Sequence, residues 1–157
     1  DGFGLRPVLL HPESRGEVMI KTADPFDAPA IRPDYLSAPR DEDLLVGGLL
    51  AMRELSEMPA LKPFVAAEYL PGPECRTEAE MRDFVRHRGG TSYHPVGTCR
   101  MGTDQTAVVD ARLRVRGVEG LRVVDASIMP RIVSGNTNAP TIMIGEKASD
   151  MILEDAR

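Results

Sequence analysis

The stretch from Gly90 to Thr141 decides how this chain is read. It contains Ser92-Tyr93-His94-Pro95-Val96-Gly97-Thr98-Cys99-Arg100-Met101-Gly102, then Leu121-Arg122-Val123-Val124-Asp125-Ala126-Ser127, then Gly135-Asn136-Thr137-Asn138-Ala139-Pro140-Thr141. Each piece sets a polar group on a loop beside an apolar element, which is how a rigid scaffold presents reactive side chains to a ligand. An imidazole titrates near ~6.5, so His94 can take a proton from an alcohol and later release it. A loop histidine that only bonds the backbone is the other reading of that residue taken alone.

Around His94 the local signals are alternately strand-like and helical. Val108-Val109, Leu113 to Val115 and Leu121 to Val124 predict short strands, the last ending at Asp125-Ala126-Ser127. A strand that stops at a small polar cluster can bring backbone groups close to a phosphate or sugar at the edge of an open sheet. An aspartate capping a turn explains the same residues. Asn138 or Thr137 is expected to cap a final helix running to about Leu153, with Pro140 in its first turn, where a missing amide hydrogen costs nothing. Ile144, Ala148, Met151 and Ile152 are its expected buried face. Its amino end carries partial positive charge and spare N–H donors, a setting that favours an anion.

Upstream, Thr77-Glu78-Ala79-Glu80 has the capping-box pattern and opens a helix with Met81, Phe84 and Val85 on its apolar face, stopped by Gly89-Gly90. Residues 60–74 are too rich in proline for regular structure. Asp41 to Met58 predicts a longer helix through Leu45, Leu49, Met52 and Leu55. Gly47-Gly48 weakens it by about 1 kcal/mol per glycine, and close packing against a neighbouring element would account for them. Prolines 25, 29, 33 and 39 make residues 23–39 an extended connector, while Arg6 to His11 and Gly16 to Thr22 are expected to pair as strands around an intervening turn.

Composition excludes several classes. At 157 residues the chain is long enough for an independent core. A net charge of −5, spread along the sequence, and an aromatic share of 4% without tryptophan argue against a nucleic-acid surface. Cys75 and Cys99 lack C-x-x-C spacing, so neither a metal site nor a disulfide framework is expected, and a reducing compartment suits them. No apolar run approaches the ~20 residues of a membrane span, and the first residues lack a basic signal-peptide start. The expected location is cytoplasmic, unless a leader has been removed with whatever preceded the first residue.

The ordered motifs His94 to Gly102, Val124-Asp125-Ala126-Ser127-Ile128-Met129-Pro130 and Gly135 to Thr141 resemble the carboxyl-terminal signature of the glucose-methanol-choline oxidoreductases. Pro12-Glu13-Ser14-Arg15-Gly16-Glu17-Val18 and Asp34-Tyr35-Leu36 fit the same pattern, and the choline dehydrogenase-like branch is the nearest. The resemblance implies an FAD-dependent oxidation of a small-molecule alcohol, with His94 as the base and hydride passing to flavin N5. It implies that Asn136, where many members have histidine, orients the substrate oxygen; a turn residue before a helix is the plainer reading of that Asn. Asp125 and Ala126 would approach the phosphate or ribityl region, and Asn138 and Pro140 the isoalloxazine ring, which is an anion when reduced. Ser92 and Tyr93 would line the substrate cavity, although a packing role suits Tyr93 equally.

One departure sets the expected organisation. No G-x-G-x-x-G turn occurs, and Gly2-Phe3-Gly4-Leu5-Arg6-Pro7 fails because proline follows where a helix should start. The expected arrangement is α+β, a mixed or antiparallel sheet with helices. Residues 1–107 would form the substrate-binding region with the histidine loop, and residues 108–157 a strand-helix tail completing an FAD-binding domain. The partner would then be an amino-terminal FAD-binding portion upstream. Without it the tail would expose apolar surface, so a homodimer or partial disorder is expected. The competing reading is a non-catalytic module derived from the same scaffold.

Overall fold

Helix starts and proline positions determine where regular structure forms. The computed structural model describes residues 2–157, with β1 (Glu17–Met19), β2 (Ala30–Arg32), α1 (Pro39–Glu57), α2 (Glu78–Arg88) and α3 (Asn138–Asp155). Short 3₁₀ turns lie at Lys62–Phe64 and Ala126–Ile128. The chain divides into two compact units, one ending at Ser92 and one spanning Tyr93–Arg157. The elements fit the α+β expectation, with a two-stranded antiparallel sheet as the regular β structure.

In the first unit β1 pairs with β2 in the register Glu17↔Arg32, Val18↔Ile31, Met19↔Ala30. The partner strand thus comes from the proline-rich connector, and residues 6–11 form no strand. Pro29 and Pro33 flank Ala30–Arg32 and leave only that short run with pairing amides. Gly16 is required by the approach: a Cβ there would lie 2.3 Å from the Arg32 carbonyl oxygen.

The segment 11–16, expected as the turn between strands, instead anchors the start of α1. Asp41 is 1% exposed and accepts from the amides of Glu13 and Ser14, both at 2.8 Å, and from the Ser14 hydroxyl. Ser14 Oγ in turn accepts from the Ala38 amide at the N-cap, which has no capping side chain of its own. Burial raises the Asp41 pKa, but these hydrogen bonds to the carboxylate outweigh it and hold it below the ordinary range.

Val46 of α1 joins Cys75, Met81 and Val85 of the α2 region in a core edged by Leu36, Leu45, Leu49 and Phe84. The buried stripe of α1 therefore runs one residue off the expected row, leaving Leu55 40% exposed. The α2 capping box forms as expected, with Glu80 N donating to Thr77 Oγ1 at 3.2 Å and Thr77 N to Glu80 Oε2 at 2.8 Å. Gly89 ends the helix at φ −62°, not in a left-handed conformation. It is glycine because a Cβ would sit 2.5 Å from the Val85 carbonyl oxygen. The paired glycines of α1 differ in the same way: a Cβ on Gly48 would meet Pro7 at 2.4 Å, whereas Gly47 faces open space.

The second unit packs Val109, fully buried, with Leu113, Ile128, Met129, Ile144 and Ala148. The strands expected at 108–109, 113–115 and 121–124 reduce to isolated bridges, Met101↔Val109, Val109↔Val115 and Arg114↔Arg122. Leu113 interrupts them with φ +64°, a turn held by Asp110 Oδ1, which accepts from the Arg112 and Arg114 amides. Helix α3 buries Ile144 and Ala148, with Met151 half-buried, while Ile152 is 45% exposed and turned off that face. Near its carboxyl end, Arg112 donates to the Met151 carbonyl at 3.0 Å and pairs with Asp155, which Arg122 also holds.

Gly47→Ala is expected to stabilise the chain in urea unfolding by about 0.5–1 kcal/mol through helix propensity, and Gly48→Ala to lose that gain to its clash with Pro7. Asp41→Ala should cost about 1.5–3 kcal/mol at neutral pH through its lost charge-assisted bonds. Because the folded Asp41 pKa is depressed, its contribution is complete above the ordinary value of 3.8 and vanishes as pH falls through the folded pKa. Urea midpoints of the parent and Asp41→Ala should therefore converge in strong acid.

Candidate active site

The loop that follows Tyr93 is held open by backbone bonds. Gly97 takes φ +94°, a region costly for residues with a Cβ, and the Arg100 amide closes the turn on its carbonyl at 3.2 Å. The loop then pairs with the 3₁₀ turn: Cys99 N donates to Ser127 O at 3.1 Å and Met101 N to Ile128 O at 2.8 Å. Val96 packs against the Val109 core. Arg100 clamps Asp104 through both guanidinium nitrogens, at 2.9 and 2.7 Å, and holds that carboxyl well below the usual range, with Thr106 assisting. This part of the loop is fixed at both ends.

His94 is half-buried, and its Nδ1 lies 2.8 Å from Thr137 Oγ1. Thr137 is the N-cap residue of α3, only 7% exposed, and its hydroxyl makes no capping bond. The first intrahelical bond is Thr141 N to Thr137 O at 3.0 Å, so the amides of Asn138 and Ala139 precede the helical ladder. Asn136 and Asn138 flank Thr137 and are exposed, and Pro140 is half-buried in the first turn. One hydrogen bond therefore joins the histidine loop to the amino end of α3. That end offers amide donors, positive helix-end potential and a carboxamide close in sequence to the histidine's partner.

Asp125 caps the 3₁₀ turn: its Oδ1 accepts from the Ser127 amide at 2.7 Å and from the Ser127 hydroxyl. Ala126 packs against the Val109 core. Tyr93 opens the second unit at φ +60° and is 84% exposed. Ser92, also exposed, closes the first unit. The structure thus joins His94 to the Asn136–Asn138 segment within the second unit. Thr137 makes the link, a residue whose sequence context marks it only as an alternative helix cap. Pro140 was the available signal, because a proline three residues after a cap threonine removes the amide its hydroxyl would have met.

The remaining reactive side chains have other surroundings. Cys75 is buried and Cys99 half-buried, both as free thiols. His87 is exposed and its Nδ1 bonds the Asp83 carbonyl at 2.9 Å. Among the described residues, no group of three or more His, Cys, Asp or Glu side chains is arranged to hold a metal ion, and no helix is long and apolar enough to cross a membrane.

The family model described as GMC oxidoreductase matches residues 12–145. The chain is 49% identical over 151 residues to an oxygen-dependent choline dehydrogenase of Escherichia coli O45:K1, covering 96% of this chain and 27% of that protein. It is 47% identical over 152 residues to an alcohol dehydrogenase [acceptor] of Pseudomonas putida, covering 97% and 28% respectively. Among solved structures, pyridoxine 4-oxidase from Mesorbium loti matches with a TM-score of 0.83 and 41% identity, over 90% of this chain and 28% of that one. A formate oxidase of Aspergillus oryzae, studied for modification of its FAD, matches with a TM-score of 0.88 and 33% identity, over 94% and 26%. The chain spans about a quarter of the length of the curated relatives it matches.

Gly97→Ala is expected to lower stability by about 1–2 kcal/mol, the scale of placing an L side chain in a left-handed backbone conformation. Urea unfolding of the two chains measures it, and an unchanged midpoint would contradict the strained-loop account.

Proposed function

Because this chain belongs to the GMC oxidoreductase family, we propose that it is the carboxyl-terminal portion of an FAD-dependent enzyme that oxidises a small alcohol to an aldehyde. The observation that carries this reading is the 2.8 Å bond between His94 and Thr137, which puts an imidazole beside the amino end of α3. The first turn of that helix suits the cofactor: two amides precede the ladder, Pro140 adds an apolar edge, and no acidic residue lies in the turn. FAD, when bound, supplies a hydride acceptor at flavin N5.

The residues of this chain divide the remaining work. His94 accepts the hydroxyl proton, and the alkoxide character this creates weakens the C–H bond of the alcohol carbon. Asn136 donates its amide hydrogen to the substrate oxygen and holds it in line, since a carboxamide does not titrate near neutrality. The amides of Asn138 and Ala139 and the edge of Pro140 would hold the flavin ring. Asp125 and Ala126 would hold the ribityl and phosphate region, with the Asp125 cap keeping the backbone turn rigid. Ser92 and Tyr93 line the alcohol cavity. The rest of the FAD site belongs to an amino-terminal portion, with residues 108–157 completing the cofactor domain and residues 1–107 serving the substrate. Alone, the chain is inactive, and its exposed apolar side chains favour a homodimer. The compartment is cytoplasmic, in keeping with two free thiols.

The test is to isolate the polypeptide that carries this segment and record its mass, visible spectrum and turnover of choline and simple primary alcohols. A flavin spectrum with turnover is the expected result, and His94→Ala should retain the spectrum while lowering kcat/KM by about 10²–10⁴-fold. A colourless product would instead support a non-catalytic module, and undiminished turnover in His94→Ala would remove the assigned base.

A further inference from the structure

Thr137 sits where a helix-capping threonine belongs, yet its hydroxyl makes no cap bond. A cap hydroxyl ordinarily accepts from the second or third helical amide. Here the third helical residue is Pro140, which has no amide hydrogen, and Thr137 itself adopts φ −85° and ψ −2°, a helical conformation in place of the extended one that aims a cap side chain inward. The hydroxyl is thus released from capping. Thr137 is 7% exposed, and its oxygen lies 2.8 Å from His94 Nδ1.

We propose that Thr137 is a positioning residue that accepts a hydrogen bond from His94 Nδ1–H, so that the neutral imidazole keeps its lone pair at Nε2. This inference rests on the proposed role of His94 as a base: a proton acceptor needs an unprotonated ring nitrogen directed toward the substrate, and protonation of the opposite nitrogen secures it. Substitution at position 137 then acts through the histidine, without contact with the alcohol. Pro140 belongs to the same device, because an amide-bearing residue there would compete for the hydroxyl.

The 157-residue chain labelled with ¹⁵N only in histidine tests this without cofactor or turnover. Long-range ¹H–¹⁵N spectra at about pH 8, above the ordinary imidazole range, report which ring nitrogen of each histidine carries hydrogen. His87 is an internal reference, since its Nδ1 faces the Asp83 carbonyl, which can only accept. The expected His94 pattern is protonated Nδ1 and bare Nε2, kept in Thr137→Ser and averaged between the two tautomers in Thr137→Val. Backbone amides of Ile144 and Ala148 monitor the fold, and if Thr137→Val unfolds, the parent and Thr137→Ser spectra still decide. A parent protonated at Nε2, or a folded Thr137→Val with an unshifted His94 pattern, would overturn the proposal. If the Nδ1–H pattern holds but His94→Ala leaves turnover in the larger polypeptide intact, the functional reading fails and the positioning geometry stands.

Discussion

The position of helix α3 is the constraint on which the second unit depends. Ile144 and Ala148 bury one face of it in the Val109 core, and Arg112 and Arg122 hold its carboxyl end through Asp155 and the Met151 carbonyl. With the axis held, the amino end has one place to go, and Thr137 there meets His94. The helix transmits packing at one end into side-chain placement at the other. Buried apolar contact supplies the attraction, while the charged clamp near an exposed terminus chiefly sets direction.

The histidine loop is ordered by a different means. Its backbone groups are satisfied one at a time, against the 3₁₀ turn through Cys99 to Ser127 and Met101 to Ile128, and against residues 108–109 through Val108 to Arg100 and Gly102 to Val109. Asp125 keeps that turn closed by bonding the Ser127 amide and hydroxyl. A turn cap of this kind suits the cofactor contact proposed for it, because a rigid turn presents backbone atoms at a fixed distance.

The first unit shows the same economy around Asp41. A carboxylate with almost no exposure is tolerated because two amides and a hydroxyl from residues 13 and 14 surround it. The Pro12-Glu13-Ser14-Arg15-Gly16 motif therefore has a structural explanation: Ser14 links Asp41 to the Ala38 amide, and Gly16 allows the chain to pass the Arg32 carbonyl.

By itself the sequence determined the local elements whose signals are complete within a few residues. The Thr77–Glu80 capping box, the proline-limited connectors, the three long helices and the order of motifs that carries the family relationship needed no distant partner to be read. Tertiary structure decided whatever depends on contacts between remote segments. The partner of β1 came from Ala30–Arg32 because close approach at Gly16 selects it, and the strands expected after Val108 became single bridges because Leu113 turns left-handed within the core. His94 and Asn136 were legible as chemical types, but the hydrogen bond that joins their segments was not. It spans 43 residues, and a side chain's partner at that separation is chosen by how helices pack, which periodicity and propensity do not encode.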